Sequence, residues 1–261
     1  MSVIYLGTLR LNADISGPPL APPVVLIHAL GTNLSLWDQV AAALPHNRVL
    51  RFDLRGHGRS DVPKPPYSMG ALICDTEKLM AHFGMKDAAV VGVSLGGLVA
   101  QGLASKRLDL VRALVLSNTA AKIGSPALWA QRRAEIANSG LEPYAPGAME
   151  RMLGRTWQDH PQMQRLRRML LATDPQGWIG CAAAIAGTDF YTTTAALTLP
   201  TLVIAGAKDA TTPPDLVRET ADLILGRRFA LIRGAGHLPM LDQPAEFIAL
   251  LQDFLRSIGH L

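Results

Sequence analysis

Two rhythms of apolar residues run along the chain. Short, nearly continuous apolar runs at 24–28, 49–52, 88–93, 113–117, 201–205 and 228–232 read as strands, while 67–83 and 95–106 carry apolar residues at helical spacing. Strands apolar on both faces and interleaved with helices predict a mostly parallel central sheet flanked by helices, an α/β architecture. Ahead of them, residues 3–15 alternate apolar and polar and end in Gly17-Pro18-Pro19, which predicts a hairpin at the sheet's edge.

The alternation stops after Ser117. From about 124 to 187 the chain reads as helix after helix: Ser125-Pro126 is a start signal and Gly140 a stop, Asp174-Pro175 and Gly187 repeat the pair, and 148–157 and 162–171 lie between them. Strand rhythm resumes at Leu199-Pro200-Thr201. The expected organisation is a core of residues 1–120 and 190–261 with an inserted helical cap at 121–189. No internal repeat or low-complexity segment interrupts it.

Composition narrows the function classes. With 261 residues, 49% of them hydrophobic, the chain can bury one large core. The two cysteines, Cys74 and Cys181, form no CxxC or Cys/His cluster, so neither a metal site nor a disulfide framework is expected. The N-terminal residues lack a charged leader followed by a long apolar run, and no apolar stretch reaches bilayer length; a soluble cytoplasmic protein is the expectation. The net charge of +4 comes from scattered residues rather than a basic run, which argues against a nucleic-acid surface and suits a small anionic substrate.

Chemistry concentrates at the strand ends. Gly92-Val93-Ser94-Leu95-Gly96 closes the strand at 88–93 and opens the helix behind it. Glycines on both sides of the serine permit a sharp strand-to-helix turn that lifts its hydroxyl out of the sheet. By itself such a serine can equally be a helix N-cap. A serine nucleophile needs a base held by a carboxylate. His237, in the glycine-rich loop Gly234-Ala235-Gly236-His237, and Asp209, after the strand at 201–205, both fall at carboxyl ends of strands. The order Ser94, Asp209, His237 is the one expected of a serine hydrolase on this kind of sheet. His28-Ala29-Leu30-Gly31 ends the first parallel strand in a tight turn, so the backbone N–H groups of Leu30 and Leu95 are candidates for an oxyanion hole. His28 reads as a structural hydrogen-bonding residue, and the charged loop from Asp53 to Asp61 as a structural turn in which Asp53 and Arg55 tie the chain. No phosphate-cradling GxGxxG follows the first strand, which disfavours a dinucleotide fold.

Together, the HxxG turn, the DxRGHGxS loop, the GxSxG elbow, the late GxxD and the final GxGH resemble the α/β-hydrolase superfamily over essentially the whole chain. A narrower resemblance lies in the run from Ser117 to Ser125 with Trp129 downstream, and in the run from Leu30 to Trp37. These look like 3-oxoadipate enol-lactonases, whose first turn often carries Ser or Asn where this chain has His28-Ala29. That resemblance implies a cofactor-free, metal-free hydrolase acting on a small anionic lactone, with a four-helix cap. A carboxylated substrate needs a cation. Of the adjacent Arg132 and Arg133 at most one faces the site, and Arg132, three positions after Trp129, shares its face. Trp129 and Trp178 are candidates to close the pocket over the ring. The same residues also suit a carboxylesterase, a carbon–carbon bond hydrolase, a cofactor-free haloperoxidase-like enzyme, or a ligand receptor that kept the fold without catalysis.

Overall fold

Eight strands build a single sheet in the computed structural model, which describes residues 2–154 and 157–261. They are β1 (Ser2–Leu6), β2 (Leu9–Ser16), β3 (Pro23–Ile27), β4 (Arg48–Phe52), β5 (Ala88–Val93), β6 (Val111–Ser117), β7 (Thr201–Gly206) and β8 (Arg228–Ile232), in the order β1-β2-β4-β3-β5-β6-β7-β8. The hairpin β1–β2 is antiparallel and β2 pairs antiparallel with β4; every other pairing is parallel. All residues of β5 and of β7 are buried, as the continuous apolar runs require of strands covered on both faces.

The chain leaves β3 outward to β4 and then crosses back to β5 on the other side of β3. This reversal opens a crevice at the carboxyl ends of β3 and β5, the place where α/β sheets bind ligands. The turn after β3 and Ser94 after β5 both lie there.

The helices are α1 (Asp38–Ala42), α2 (Met69–His82), α3 (Leu95–Lys106), α4 (Pro126–Ser139), α5 (Ala145–Leu153), α6 (Met163–Leu171), α7 (Pro175–Ala186), α8 (Tyr191–Ala195), α9 (Pro214–Asp222), α10 (Pro239–Asp242) and α11 (Pro244–Ser257). Helix α3 is buried along nearly its whole length, behind the strands it follows. Helices α4 to α8 lie between β6 and β7 in the chain, with α4 packed on α7 and α5 on α6. Their start signals work as read. The Ser125 hydroxyl accepts from the Leu128 N–H at 3.2 Å, and an Asp174 oxygen accepts from the N–H groups of Gln176 at 2.7 Å and Gly177 at 3.3 Å.

One helix departs from the expectation. The helix expected over 148–157 starts earlier, at Ala145, and stops at Leu153, because Gly154 adopts φ 87° and turns the chain out of helical geometry. Residues 155 and 156 of that expectation lie outside the described residues. Among the described residues, no helix is long and apolar enough to cross a membrane, and no group of three or more His, Cys, Asp or Glu side chains is arranged to hold a metal ion.

Candidate active site

Ser94 sits at φ 55° and ψ −118°, a conformation that L-residues seldom adopt and that stores strain at the strand-to-helix turn. The glycines around it are steric necessities. A Cβ on Gly92 would lie 2.2 Å from the Gly96 carbonyl oxygen, and one on Gly96 would lie 2.2 Å from the Ile27 oxygen. The Thr119 hydroxyl fastens the turn from below, donating to the Ser94 carbonyl at 2.7 Å. Leu95, as the first residue of α3, has an N–H with no partner in the helix, and it points with the positive end of the helix dipole.

Asp209 and His237 meet at the ends of β7 and β8. The His237 ring donates from Nδ1 to Asp209 Oδ2 at 2.8 Å, and both side chains are fully buried. Asp209 is held from every side: its Oδ2 also accepts from Asn118 Nδ2 at 2.8 Å and the Thr212 hydroxyl at 2.7 Å, and its Oδ1 from the N–H groups of Thr211 and Thr212 at 2.7 and 3.0 Å. Burial alone would push this carboxyl up, but the facing His237 and the hydrogen bonds from His237, Asn118 and Thr212 outweigh it and hold the group below the ordinary aspartate value. With Nδ1 committed, His237 Nε2 is buried and has no hydrogen-bond partner among the described residues.

Asn118 is a positioning residue that sequence reasoning left without a role. It adopts φ 46°, receives a hydrogen bond on Oδ1 from the Ser117 hydroxyl, and donates both to Asp209 and to the Gly236 carbonyl at 3.0 Å. It therefore joins the two loops that carry the carboxylate and the imidazole. The run from Ser117 that resembled the enol-lactonases begins with this structural duty.

The turn after β3 is fixed by two neutral histidines. His57 Nε2 accepts the Gly31 N–H at 2.9 Å, and His28 Nε2 accepts the Leu54 N–H at 2.9 Å. Burial pushes His57 down to about 3, with His28 adding to the effect, and burial pushes His28 down to about 4. Both therefore stay uncharged acceptors at neutral pH. His28 is structural, as read. With the Gly31 N–H engaged, the Leu30 N–H remains without a protein acceptor among the described residues. The charged loop is structural as well: Asp53 accepts from Leu34 N–H, Arg59 N–H and Asn12 Nδ2, while Arg55 reaches over to α2 and forms a two-pronged ion pair with Asp75 at 2.6 and 2.7 Å.

Ser94, His237 and Leu30 line one enclosed cavity together with Trp129, Trp178 and Arg132 from α4 and α7. The volume open to the centre of a water molecule is about 30 Å³, so the chamber is narrow. Trp129 donates from Nε1 to the Ile123 carbonyl at 2.6 Å, its ring lies 6.2 Å from that of Trp178, and Tyr144 meets Trp178 edge-on at 5.2 Å. The Arg132 guanidinium stacks 5.1 Å from the Trp129 ring, whereas Arg133 turns back to the Trp129 carbonyl and does not line the cavity. Sequence reasoning missed Tyr144 and Arg151, which also line it; neither belongs to a motif that would mark it. A larger open hollow of about 520 Å³ lies outside the end of α5 and includes neither Ser94 nor His237, so it is not this site.

The end of α5 is joined to the histidine loop. The His237 N–H donates to the Met152 carbonyl at 2.9 Å and the Ala210 N–H to the Arg151 carbonyl at 3.4 Å. Gly236 allows this approach, since a Cβ there would lie 2.4 Å from the Met152 oxygen, and its own N–H donates to Asp242 Oδ2 at 2.7 Å.

Residues 22–244 match the model of a family described as alpha/beta hydrolase fold. The chain is 31% identical over 242 residues to 3-oxoadipate enol-lactonase 2 of Acinetobacter baylyi, covering 92% of this chain and 90% of that protein. Among solved structures it is similar to the enol-lactonase from Burkholderia xenovorans LB400, with TM-score 0.94, 32% identity and coverage of 98% and 100% of the two chains. It is also similar to a thermophilic esterase from Thermogutta terrifontis with malate bound, with TM-score 0.92, 29% identity and full coverage of both chains.

Proposed function

The chain belongs to the alpha/beta hydrolase fold family, and from that premise we propose that it is a serine hydrolase opening 3-oxoadipate enol-lactone, a small carboxylated enol-lactone of aromatic catabolism, to 3-oxoadipate. The observation that carries this reading is the chamber itself, one small space lined by Ser94, Arg132 and His237, whose Nε2 is without a partner among the described residues. The similarity to enol-lactonases over nearly the whole chain supports the same substrate class.

In this mechanism Ser94 Oγ attacks the lactone carbonyl carbon and its proton passes to His237 Nε2. Asp209 keeps the imidazole in the tautomer that accepts there and stabilises the imidazolium. The tetrahedral oxyanion rests on the N–H groups of Leu30 and Leu95. Collapse breaks the bond to the ring oxygen, which leaves as an enolate, takes the proton back from His237, and becomes the ketone after tautomerisation. Water, deprotonated by His237, then splits the acyl-enzyme and returns the proton to Ser94. Arg132 holds the substrate's carboxylate, with the indoles of Trp129 and Trp178 against the ring.

The test is the ultraviolet absorbance of the enol-lactone mixed with the purified protein and with Ser94→Ala. Rapid loss with the wild type and a turnover about a millionfold lower in the variant is the expected result. No loss with protein that still reacts with a fluorophosphonate at Ser94 would remove the lactone and keep the serine hydrolase. A second reading, an esterase for small carboxylated esters, is favoured by the likeness to the malate-bound esterase and is separated by the same assay run on such esters.

A further inference from the structure

We propose that Arg151 is a second anion-binding residue of the chamber, closing with Arg132 as a two-guanidinium clamp on the substrate's carboxylate. The inference rests on the reading of a carboxylated substrate given above and adds the residue that selects for it. Arg151 comes from α5 and Arg132 from α4, and both line the cavity that holds Ser94 and His237.

The guanidinium of Arg151 is in an unusual position for this molecule. Its Nη2 is buried and has no hydrogen-bond partner among the described residues. Several other half-buried arginines are answered by carboxylates: Arg51 by Asp14 and Asp38, Arg55 by Asp75, Arg107 by Glu77 and Asp109. Neither Arg132 nor Arg151 forms an ion pair with any described residue. A buried guanidinium donor without an acceptor is destabilising, and it persists where a ligand supplies the missing oxygen.

Both guanidiniums are also held against rings of one aromatic cluster. Arg132 lies over Trp129 and Arg151 over Tyr144, each 5.1 Å from its ring, and both rings neighbour Trp178. Stacking fixes the plane of a guanidinium while leaving its N–H edge free, so two such edges suit the two oxygens of one carboxylate. Burial depresses the Arg132 guanidinium and Arg151 adds like-charge repulsion, against the opposing pull of Tyr144 and Glu135, which is the mark of two cations facing a shared space. An anion between them relieves that repulsion. Arg151 also stands one residue from the carbonyl that receives the His237 N–H, so the carboxylate is gripped by the helix end that steadies the base.

The experiment compares hydrolysis of paired acetate esters whose alcohol portion ends in a carboxylate or in the isosteric carboxamide, followed by pH-stat for wild type, Arg132→Met, Arg151→Met, Arg151→Lys and the double methionine variant. The clamp requires the carboxylate-over-carboxamide ratio of kcat/KM to fall about thirtyfold in Arg151→Met and less in Arg151→Lys, which keeps the charge and loses the fork. It also requires the double variant to lose less than the product of the two single losses, because both residues act on one group. An equal loss on both esters in Arg151→Met, or in Arg151→Lys if the methionine variant does not fold, overturns the proposal and leaves Arg151 a packing residue. Since the readout uses simple esters, failure of the enol-lactone as substrate does not affect it, while failure of the ratio leaves the lactone assay standing.

Discussion

On the sheet side of the chamber, the Asp209 carboxylate receives hydrogen bonds from His237, Asn118, Thr212 and two backbone amides. On the helical side, Arg132 and Arg151 lie against aromatic rings and meet no carboxylate among the described residues. The first arrangement is complete without a ligand: its energy is spent on fixing one geometry before substrate arrives. The second is incomplete, and its missing partners describe what has to enter. On the proposed function, the saturated wall carries the chemistry and the hungry wall the selectivity, within one small space.

The comparison breaks most sharply at the saturated wall. Asp209→Asn keeps the shape but removes the charge and favours the wrong imidazole tautomer, so turnover is expected to fall about ten-thousandfold with KM little altered, measured by steady-state kinetics. Gly236→Ala tests the seam between the walls. Its methyl collides with the Met152 carbonyl, and a loss of about 3 kcal/mol in denaturant unfolding is expected, with a lower kcat as the His237 loop shifts.

Asn118→Ala removes one donor from Asp209 and a loss of about 2 kcal/mol is expected. Its pH signature is specific. Because the Asp209 carboxyl is depressed below its ordinary 3.8, its contribution to stability is complete above that value and disappears as pH falls through the lower folded-state value. Loss of the Asn118 bond raises the folded value toward the unfolded one, so the acid decline of the unfolding midpoint starts at the same pH in the variant but ends at higher pH and is smaller. The smallest effect belongs to the other wall: Arg132→Met raises KM for a carboxylated substrate about tenfold, while Arg133→Met, whose side chain turns away from the chamber, leaves it unchanged.

The same division governs what the sequence makes legible. The strands were readable because runs such as β5 and β7 are apolar throughout, and the strand-end positions of Ser94, Asp209 and His237 because turns there need glycines at fixed spacing; the order of strands in the sheet left no mark in the local pattern. Two cap helices were readable from Ser125-Pro126 and Asp174-Pro175, since those signals act within one turn of backbone. The bounds of α5 were not: Gly154 stops it as Gly140 stops α4, but no start signal like Ser125-Pro126 accompanies it to frame the helix. Asn118 and Arg151 stayed hidden for a different reason. Their partners are 91 residues away in the one case and, in the other, belong to no part of the described chain. Local pattern cannot carry a bond whose second half is distant or absent.

The small volume around Ser94 bears on which product the acyl-enzyme yields. An acylated serine reacts with whatever hydroxyl reaches it, and in an open cleft dissolved alcohols compete with water to form new esters. The space beside Ser94 that is open to the centre of a water molecule is only about 30 Å³, which suits water better than a bulkier alcohol. On the proposed mechanism, hydrolysis is therefore expected to outrun transfer to dissolved alcohols, which product analysis in added methanol checks.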